Sequence, residues 1–235
     1  MRVRRVVTTR AGGGSRPPYD TFNLGDHVGD DEGDVFANRK RLATELGLTE
    51  QNLAWMEQVH GRTATIVDGS ETTAAEATDA LVTNKPGVAL VVLVADCVPL
   101  LLADAEAGVV AAVHAGRVGA RIGVVPAALA AMRSLGAEPR RTEALLGPAI
   151  CGDCYEVPAA MAADVDKHVP GSACKTRKGT PGLDLRAGLW RQLADHGVGK
   201  IGLDPRCTNE EKTLFSYRRD GTTGRLAAIT WVDPA

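Results

Sequence analysis

Aromatic residues and excess charge are both scarce in this sequence. Three Trp, three Tyr and three Phe make up only 4% of the chain, so the core must be built mainly from Val, Leu, Ile and Ala. The 27 basic and 29 acidic residues leave a formal net charge of -2 at pH 7. Because nucleic-acid-binding domains carry a basic footprint that is missing here, we expect no nucleic-acid partner.

Long hydrophobic runs are also missing. The longest apolar stretches, at 88–95 and 98–103, are separated by Asp96 and Cys97, and each is too short to cross a bilayer. The first ten residues, MRVRRVVTTR, mix arginine with single or paired valines and do not form the apolar region of a signal peptide. These features predict a soluble cytoplasmic protein with no membrane partner.

Cysteine is sparse and unpaired in number. The five cysteines are widely scattered, whereas a secreted disulfide framework favours an even and dense set. We therefore expect reduced thiols, which makes metal binding or nucleophilic chemistry possible at these positions.

Short apolar strands alternate with amphipathic helices along the 235 residues. The segment 76–104 holds two continuous apolar stretches around an Asn-Lys-Pro-Gly turn, which indicates strands buried on both faces. We predict an α/β (α+β) protein in which two α+β halves form a single compact domain over residues 1–235. Other predicted strands are 3–8, 53–59, 63–67, 108–113, 142–146 and 227–232; predicted helices are 124–135, 184–195 and one capped by Asp31 or Asp34 that stops at Gly47.

Three strand ends carry the most reactive side chains. The phrases QVHG, VADCVP and AVHAG each end an apolar strand with His60, Cys97 or His114, and glycine or proline follows within two residues. Two imidazoles and a thiolate suit zinc, and three protein ligands leave a fourth position for water or substrate. No local zinc motif is matched, because the three residues lie far apart, so an ordinary buried Cys and two His residues are the alternative.

Other segments compete with this trio. Cys151-Gly-Asp-Cys154 is a CxxC, typical of a redox pair or half of a zinc knuckle, but no second CxxC is present. We interpret Cys154 as a small apolar residue packed near Tyr155. The arginine-rich segment 209–225 suits phosphate or the edge of a base, or else a solvated hairpin. The remaining residues interpreted as surface or incidental are His27, His168, Cys174 and His196.

The phrases QVHG, DALVT…ADCVPLLL, AAVHAG, LGPAICGDCYEV and CTNEEKTLFSYRRDGTTGR occur in the order seen in one family. With TRAGG…FNLGDHVGD…NRKRL, the chain resembles the YfiH group over nearly its whole length. This group is also described as laccase-domain or polyphenol oxidase-like proteins and purine nucleoside phosphorylases. The resemblance implies a monomer with the fold shared by YfiH and the cytotoxic necrotizing factor toxins, in which mixed sheets are flanked by helices.

The resemblance also implies a site and an activity. His60, Cys97 and His114 match the family's zinc ligands and are the expected catalytic residues, with copper as the alternative metal. The implied reactions are phosphorolysis of adenosine, inosine, guanosine and methylthioadenosine, and hydrolytic deamination of adenosine. Some members are instead described as copper-dependent phenol oxidases or as factors that edit peptidoglycan precursors.

The sequence departs from the family pattern after His114-Ala-Gly. The aromatic residue common in other members is missing, and Arg117-Val118-Gly119 follows instead. We expect Arg117 or Arg121 to supply the positive charge of the displaced basic residue, and we include Arg117 among the substrate-binding residues. If the family's Trp packs near the nucleoside, we expect this chain to differ from other members in its purine preference.

The other substrate-binding candidates lie in or beside the motif phrases. We assign Arg39 and Arg62 to anion contact, and Asn23 and Gln58 to hydrogen bonds with sugar or base; each has a structural role as its alternative. Zinc deaminases pair the metal with a Glu in H-x-E. Neither His60-Gly-Arg nor His114-Ala-Gly has one, so the sequence does not identify a proton shuttle.

Three other functions compete with the zinc phosphorylase. Cys97 and His114 can form the nucleophile and base of a thiol hydrolase or deamidase, for which His60 is unnecessary. Multicopper oxidation needs many more His ligands than the 5 histidines of this chain. A non-catalytic binding or editing role predicts a closed metal shell or none.

Overall fold

Two β-sheets are stacked between helical layers in the computed structural model, which describes residues 1–234. The strands are β1 (Val3–Val7), β2 (Leu53–Ala54), β3 (Ala64–Ile66), β4 (Ala80–Thr83), β5 (Ala89–Val94), β6 (Val98–Asp104), β7 (Val109–Ala115), β8 (Glu143–Leu146), β9 (Ala173–Lys175), β10 (Pro181–Leu183), β11 (Lys200–Leu203) and β12 (Leu226–Val232). The α-helices are α1 (Glu32–Glu45), α2 (Arg117–Ile122), α3 (Val124–Ser134), α4 (Ala159–His168), α5 (Leu185–Asp195) and α6 (Tyr217–Asp220).

The larger sheet has the strand order β11-β8-β6-β7-β4-β3 and mixes parallel with antiparallel pairs. The smaller sheet has the order β1-β12-β5-β2, and β9 and β10 form a separate hairpin. Because β12 lies between β1 and β5, the smaller sheet joins both ends of the chain to its middle. The two sheets are therefore not the two fused halves expected from the sequence, although the mixed α/β single domain is confirmed.

The alternating apolar strands explain the stacking. In β5, Leu90 and Val92 face the larger sheet, whereas Val91 and Leu93 pack in the cluster that contains Leu42 of α1. On the far side of the larger sheet, the core is completed by α3, α4 and α5. The prediction that the strands of segment 76–104 are buried on both faces is confirmed, since every residue of β4, β5 and β6 is buried.

Local signals place the starts of α1 and α5 correctly, whereas the sequence predicted no element over α2, α4, α6 or β9 to β11. The side chain of Asp31 accepts the N–H of Asp34 and caps α1, and Asp184 caps α5 in the same way. The predicted strand 53–59 is wrong beyond Ala54, because the chain leaves the sheet there and the N–H of Glu57 donates to the carbonyl of Ala75. No helix within residues 1–234 is long and apolar enough to cross a membrane.

Candidate metal centre

The three predicted ligands converge at one edge of the stacked sheets. His60 lies in the loop after β2, Cys97 lies in the turn between β5 and β6, and His114 lies near the end of β7. One nitrogen of each imidazole and the Cys97 Sγ all lie within 4.8 Å of one another, and the His60 Nε2 is 3.8 Å from that sulfur. The turn between β5 and β6 and the antiparallel pairing of β6 with β7 bring the Cys and His114 together.

Asp79 organises this cluster from behind and is fully buried. Its Oδ1 accepts the Nδ1–H of His114 at 2.8 Å and the N–H of His60 at 3.0 Å. Its Oδ2 accepts the N–H groups of Val59 and Gly61 at 3.2 and 2.6 Å. This carboxylate holds the Nδ1 proton of His114, which leaves Nε2 as the nitrogen that can ligate a metal when it gives up its own proton.

Electrostatics favour a charged thiolate beside a charged imidazole. Burial raises the pKa of the Cys97 thiol, but His114 and His60 more than offset this and lower it from 9.0 to about 6. Burial lowers the pKa of His114, whereas the Cys97 thiolate and Asp79 raise it from 6.5 to about 9. A thiolate is the form of cysteine that ligates metals and attacks electrophiles.

Two residues of the site have left-handed backbone conformations. His60 has a φ of 58° and Asp96, next to Cys97, has a φ of 96°. Such angles are uncommon outside glycine and persist where the surroundings hold them. Asp96 is held by Thr208, whose hydroxyl donates to its Oδ1 at 2.5 Å, and by the N–H of Arg218, which donates to its Oδ2 at 2.6 Å.

The end of β7 approaches the cluster so closely that a side chain does not fit. A Cβ on Gly116 would lie 2.9 Å from the Cδ2 of His60 and 3.0 Å from the Sγ of Cys97. Real Cβ atoms essentially never make contacts this short without displacement of their neighbours. The glycine that follows the AVHA phrase is therefore a requirement of ligand placement.

The donor set fits a catalytic metal. Two imidazole nitrogens and one thiolate are ligands that zinc accepts, and the same set is known for copper. The group faces a cavity of about 450 Å³ that the three residues themselves help to line. A metal held there would keep an open coordination position, which distinguishes catalytic from structural zinc.

The cavity combines apolar, aromatic and cationic surfaces. Its volume lies within the range of small-molecule sites. Apart from the three ligands, its lining residues are His27, Gln58, Leu93, Val94, Ala95, Asp96, Arg117, Ile150, Tyr155, Leu185, Tyr217, Arg218 and Arg225. Three arginines against a single carboxylate give this lining an excess of positive charge.

Of the five predicted substrate-binding residues, Gln58 and Arg117 line the cavity and the other three do not. Gln58 donates to and accepts from the backbone of Leu93, both at 2.8 Å, so its amide joins the QVHG loop to β5. Arg117 is the first residue of α2. Its side chain is half-buried at the cavity wall.

Asn23, Arg39 and Arg62 lie outside the cavity. Asn23 is fully buried, donates to Asp30, and accepts the backbone N–H of Arg225 at 2.8 Å. Arg39 stacks 4.0 Å from the ring centroid of Trp55 and donates to the carbonyl of Leu24. The exposed Arg62 reaches the carbonyl of Ile122 at 3.5 Å. These contacts are structural.

Sequence reasoning missed several residues of the site. Asp79 stands at the head of the quoted phrase DALVT, but only the tertiary structure shows that it supports His114. The segment 209–225 was noted for its arginines, and the structure places Tyr217, Arg218 and Arg225 at the cavity. Its third arginine, Arg219, instead donates to backbone carbonyls within its own loop.

The interpretation of Cys154 as a small apolar residue is wrong. Its thiol donates to the carboxylate of Glu210 at 3.5 Å, and it belongs to a second cluster with Cys151 and Cys207. His27 is exposed and lines the cavity mouth, whereas His168 is an exposed residue at the end of α4.

Comparisons with known proteins agree with the resemblance. Residues 4–233 match the family model described as multi-copper polyphenol oxidoreductase laccase. A Mycobacterium tuberculosis H37Rv protein named purine nucleoside phosphorylase is 58% identical over 99% of this chain and 93% of its own. The crystal structure of YlmD from Geobacillus stearothermophilus has a TM-score of 0.93 at 34% identity, covering 99% of this chain and 92% of its own.

A second solved structure leads to the same group. The Bacillus licheniformis hypothetical protein YfiH has a TM-score of 0.91 at 31% identity, over 98% of this chain and 92% of its own. The predicted resemblance to the YfiH group is thereby confirmed. The likeness to the necrotizing factor toxins stays a prediction.

Proposed function

We propose that this chain, which belongs to the multi-copper polyphenol oxidoreductase laccase family, is a zinc-dependent purine nucleoside phosphorylase that also deaminates adenosine. The observation that carries this proposal is the cavity, where a three-ligand cluster meets a basic and aromatic lining. The name of the 58% identical mycobacterial relative supports the same activity.

His60, Cys97 and His114 would hold the zinc ion, which when bound supplies Lewis acidity at its open position. Asp79 keeps the Nδ1 of His114 protonated, so the zinc ion would take the place of the proton on Nε2. The same carboxylate holds the His60 loop in place through backbone N–H groups. These contacts preorganise the ligands before the metal arrives.

Arginines at the cavity wall suit a phosphate co-substrate. Arg218 donates to the carbonyl of Glu156 at 2.9 Å, and Arg225 donates to the carbonyl of Thr223 at 2.9 Å. Because these bonds are made to neutral carbonyls, both guanidinium groups keep their charge available for an anion. Guanidinium donors match the geometry of phosphate oxygens.

The apolar part of the cavity suits the purine. Tyr155 and Tyr217 offer aromatic surface, and Leu93, Ile150 and Leu185 line the same space. Arg218 lies 5.0 Å from the ring centroid of Tyr155, which holds that ring in position. Gln58 positions the His60 loop, because both ends of its amide already bond to Leu93.

Phosphorolysis requires orientation and charge stabilisation in this cavity. A phosphate oxygen forms a bond to the anomeric carbon of the ribose while the bond from that carbon to the purine nitrogen breaks. The purine leaves with the bonding electron pair and takes up a proton. The arginines hold the phosphate in line with the sugar, which converts an encounter of two solutes into a reaction within one complex.

Deamination of adenosine at the same cavity requires a group that moves a proton as water replaces ammonia. Asp96 is the carboxylate among the described lining residues. Its two oxygens accept hydrogen bonds from Thr208 and Arg218. We assign the proton transfer to Asp96. The Asp96→Asn variant should therefore release less ammonia from adenosine than the wild type, and unchanged release would overturn the assignment. Asn suits the left-handed backbone at this position better than other neutral residues.

The phosphorylase activity is tested with inosine and phosphate. We expect free hypoxanthine and ribose 1-phosphate from the wild type, and a loss of at least about a hundredfold in kcat/KM for His60→Ala or Cys97→Ala, by analogy with losses of metal ligands and their supports. Arg62→Ala is the matched control, because Arg62 is exposed and outside the cavity. Full activity in the zinc-free ligand variants would contradict the proposal.

The relay from Asp79 through His114 to Cys97 favours a second candidate, a thiol hydrolase or deamidase. It has the order of an orienting carboxylate, a base and a nucleophile. His60 is unnecessary for that chemistry. Hydrolysis of an amide or ester probe that survives His60→Ala but not Cys97→Ser would favour this candidate, whereas loss of activity in both variants favours the metal.

Copper-dependent phenol oxidation and a non-catalytic editing role are the remaining alternatives. Turnover of a phenol after copper loading would support the first. Absence of product from every nucleoside would support the second. The monomeric state and the cytoplasmic location stay predictions.

A further inference from the structure

A second group of potential ligands lies beside the cavity and takes no part in the proposed reaction. Cys151 and Cys154 come from the loop between β8 and α4, and Cys207 and Glu210 come from the loop between β11 and α6. Their three Sγ atoms and one carboxylate oxygen all lie within 4.8 Å of one another. Cys207 is buried, and the two other thiols are half-buried.

The two loops form matching turns. In the first, the N–H groups of Cys154 and Tyr155 donate to the carbonyl of Cys151 at 3.1 and 3.0 Å. In the second, the N–H groups of Glu210 and Glu211 donate to the carbonyl of Cys207 at 3.2 and 2.8 Å. Each turn therefore presents two ligand side chains, three residues apart, toward the same point.

Backbone contacts hold these turns against each other. The N–H of Cys151 donates to the Sγ of Cys207 at 3.3 Å, and the N–H of Thr208 donates to the carbonyl of Ala149 at 3.2 Å. The first of these bonds places the Cys207 sulfur against the start of the CxxC turn. Hydrogen bonds donated by backbone N–H groups therefore hold the two turns together, and the four ligand side chains are brought close by the backbone.

We propose that Cys151, Cys154, Cys207 and Glu210 bind a second zinc ion, distinct from the one at His60, Cys97 and His114. Four protein ligands, of which three are sulfur, make a closed tetrahedral shell of the structural kind. Binding forms three zinc–sulfur bonds and one zinc–oxygen bond, and the three thiols release their protons to solvent. The CxxC at 151–154 would therefore bind zinc together with the CxxE turn at 207–210, which lies in a distant segment of the sequence.

The charges at the cluster suit such an ion. Three thiolates and a carboxylate exceed the charge of zinc by two, and Arg177 lies 2.6 Å from the carboxylate of Glu210 and 3.5 Å from that of Asp153. This exposed guanidinium contacts the same Oε1 that accepts from the Cys154 thiol, and it can compensate part of the excess negative charge there.

The second ion would stabilise the cavity wall. Ile150 and Tyr155 flank the CxxC turn, and both line the cavity. The other turn begins at Cys207, and the next residue, Thr208, holds Asp96 beside Cys97. A zinc ion that joins the two turns fixes these wall residues relative to the first metal centre, without contact with substrate.

Zinc content of the full-length reduced chain tests the proposal. After equilibration with zinc and removal of excess, we expect the double variant Cys151→Ser/Cys154→Ser to hold one zinc per chain fewer than the wild type. Cys174→Ser is the matched control, since Cys174 is the remaining half-buried thiol near these turns and should leave the content unchanged. The difference is counted between variants, so it does not depend on whether the first centre is loaded or active.

Thiol labelling of the wild type keeps the test decisive if the double variant fails to fold. With zinc present, we expect N-ethylmaleimide to label Cys151, Cys154 and Cys207 several-fold more slowly than in the chelated protein, while Cys174 changes little. Equal zinc contents in the wild type and a folded double variant would overturn the proposal. Equal labelling rates of the three thiols with and without zinc would overturn it as well. A Cys151–Cys154 disulfide in the zinc-equilibrated reduced protein would have the same consequence.

Discussion

Replacement of Asp79 by Asn removes one charge and alters the hydrogen bonds behind both imidazoles. Each carboxylate oxygen accepts two of them: Oδ1 from His114 and His60, and Oδ2 from Val59 and Gly61. An amide has only one acceptor oxygen, so its NH₂ group must face one of these two pairs. Either two backbone N–H groups lose their acceptor, or the NH₂ faces His114.

The second orientation is the one that affects the metal. An NH₂ that donates to the Nδ1 of His114 moves the ring proton to Nε2, the nitrogen that would ligate. Loss of such a supporting carboxylate typically lowers metal affinity about 10- to 100-fold, which corresponds to about 1.4 to 2.8 kcal/mol. Because hydrogen bonds to charged groups contribute about 1.5 to 3 kcal/mol each, we also expect a lower free energy of unfolding.

Competition with a chelating dye measures the zinc affinity of Asp79→Asn, and urea unfolding measures its stability. Asp104→Asn is the matched control, because Asp104 is also fully buried and accepts backbone N–H groups, from Glu138 among others, but lies far from the ligands in the sheet. We expect both variants to lose stability and only Asp79→Asn to lose zinc affinity. Equal zinc affinities in the wild type and Asp79→Asn would refute the reasoning.

Three further predictions follow from single contacts. Gly116→Ala should lower zinc occupancy with little change in secondary structure. Gly202→Ala should keep the wild-type occupancy, because its Cβ would meet its nearest neighbour at 3.6 Å. Equal zinc occupancy of Gly116→Ala and the wild type by metal analysis would contradict the close approach. In zinc-free protein, Cys97 has a pKa lowered from 9.0 to about 6, so its alkylation by iodoacetamide should rise through pH 6, and His114→Ala should move that rise toward pH 9. Arg218→Gln should raise the KM for phosphate about tenfold, since a charged hydrogen bond contributes about 1.5 kcal/mol or more, with a smaller effect on the KM for inosine; an unchanged phosphate KM would remove Arg218 from the anion site.

Repeating sequence patterns determined many of the elements, but not how the two sheets are layered. Apolar residues in continuous runs predicted the buried central strands, and Asp31 and Asp184 marked helix starts because a short side-chain oxygen satisfies free N–H groups there. The phrases QVHG, VADCVP and AVHAG predicted His60, Cys97 and His114 as one group, although His60 lies in a loop rather than at a strand end. Each of these signals is local, because it spans only a few consecutive residues.

The tertiary structure decided which distant segments meet. Nothing near Asp79 in the sequence indicates that it supports His114, and nothing near Cys151 indicates Cys207 and Glu210, because these pairs are formed by the packing of strands and loops from separate parts of the chain. The same packing turned Asn23 away from the cavity and brought Arg225 to it. The sequence determines the chemistry of each side chain. The partners of that side chain depend on the long-range pairing of strands, which local sequence patterns do not encode.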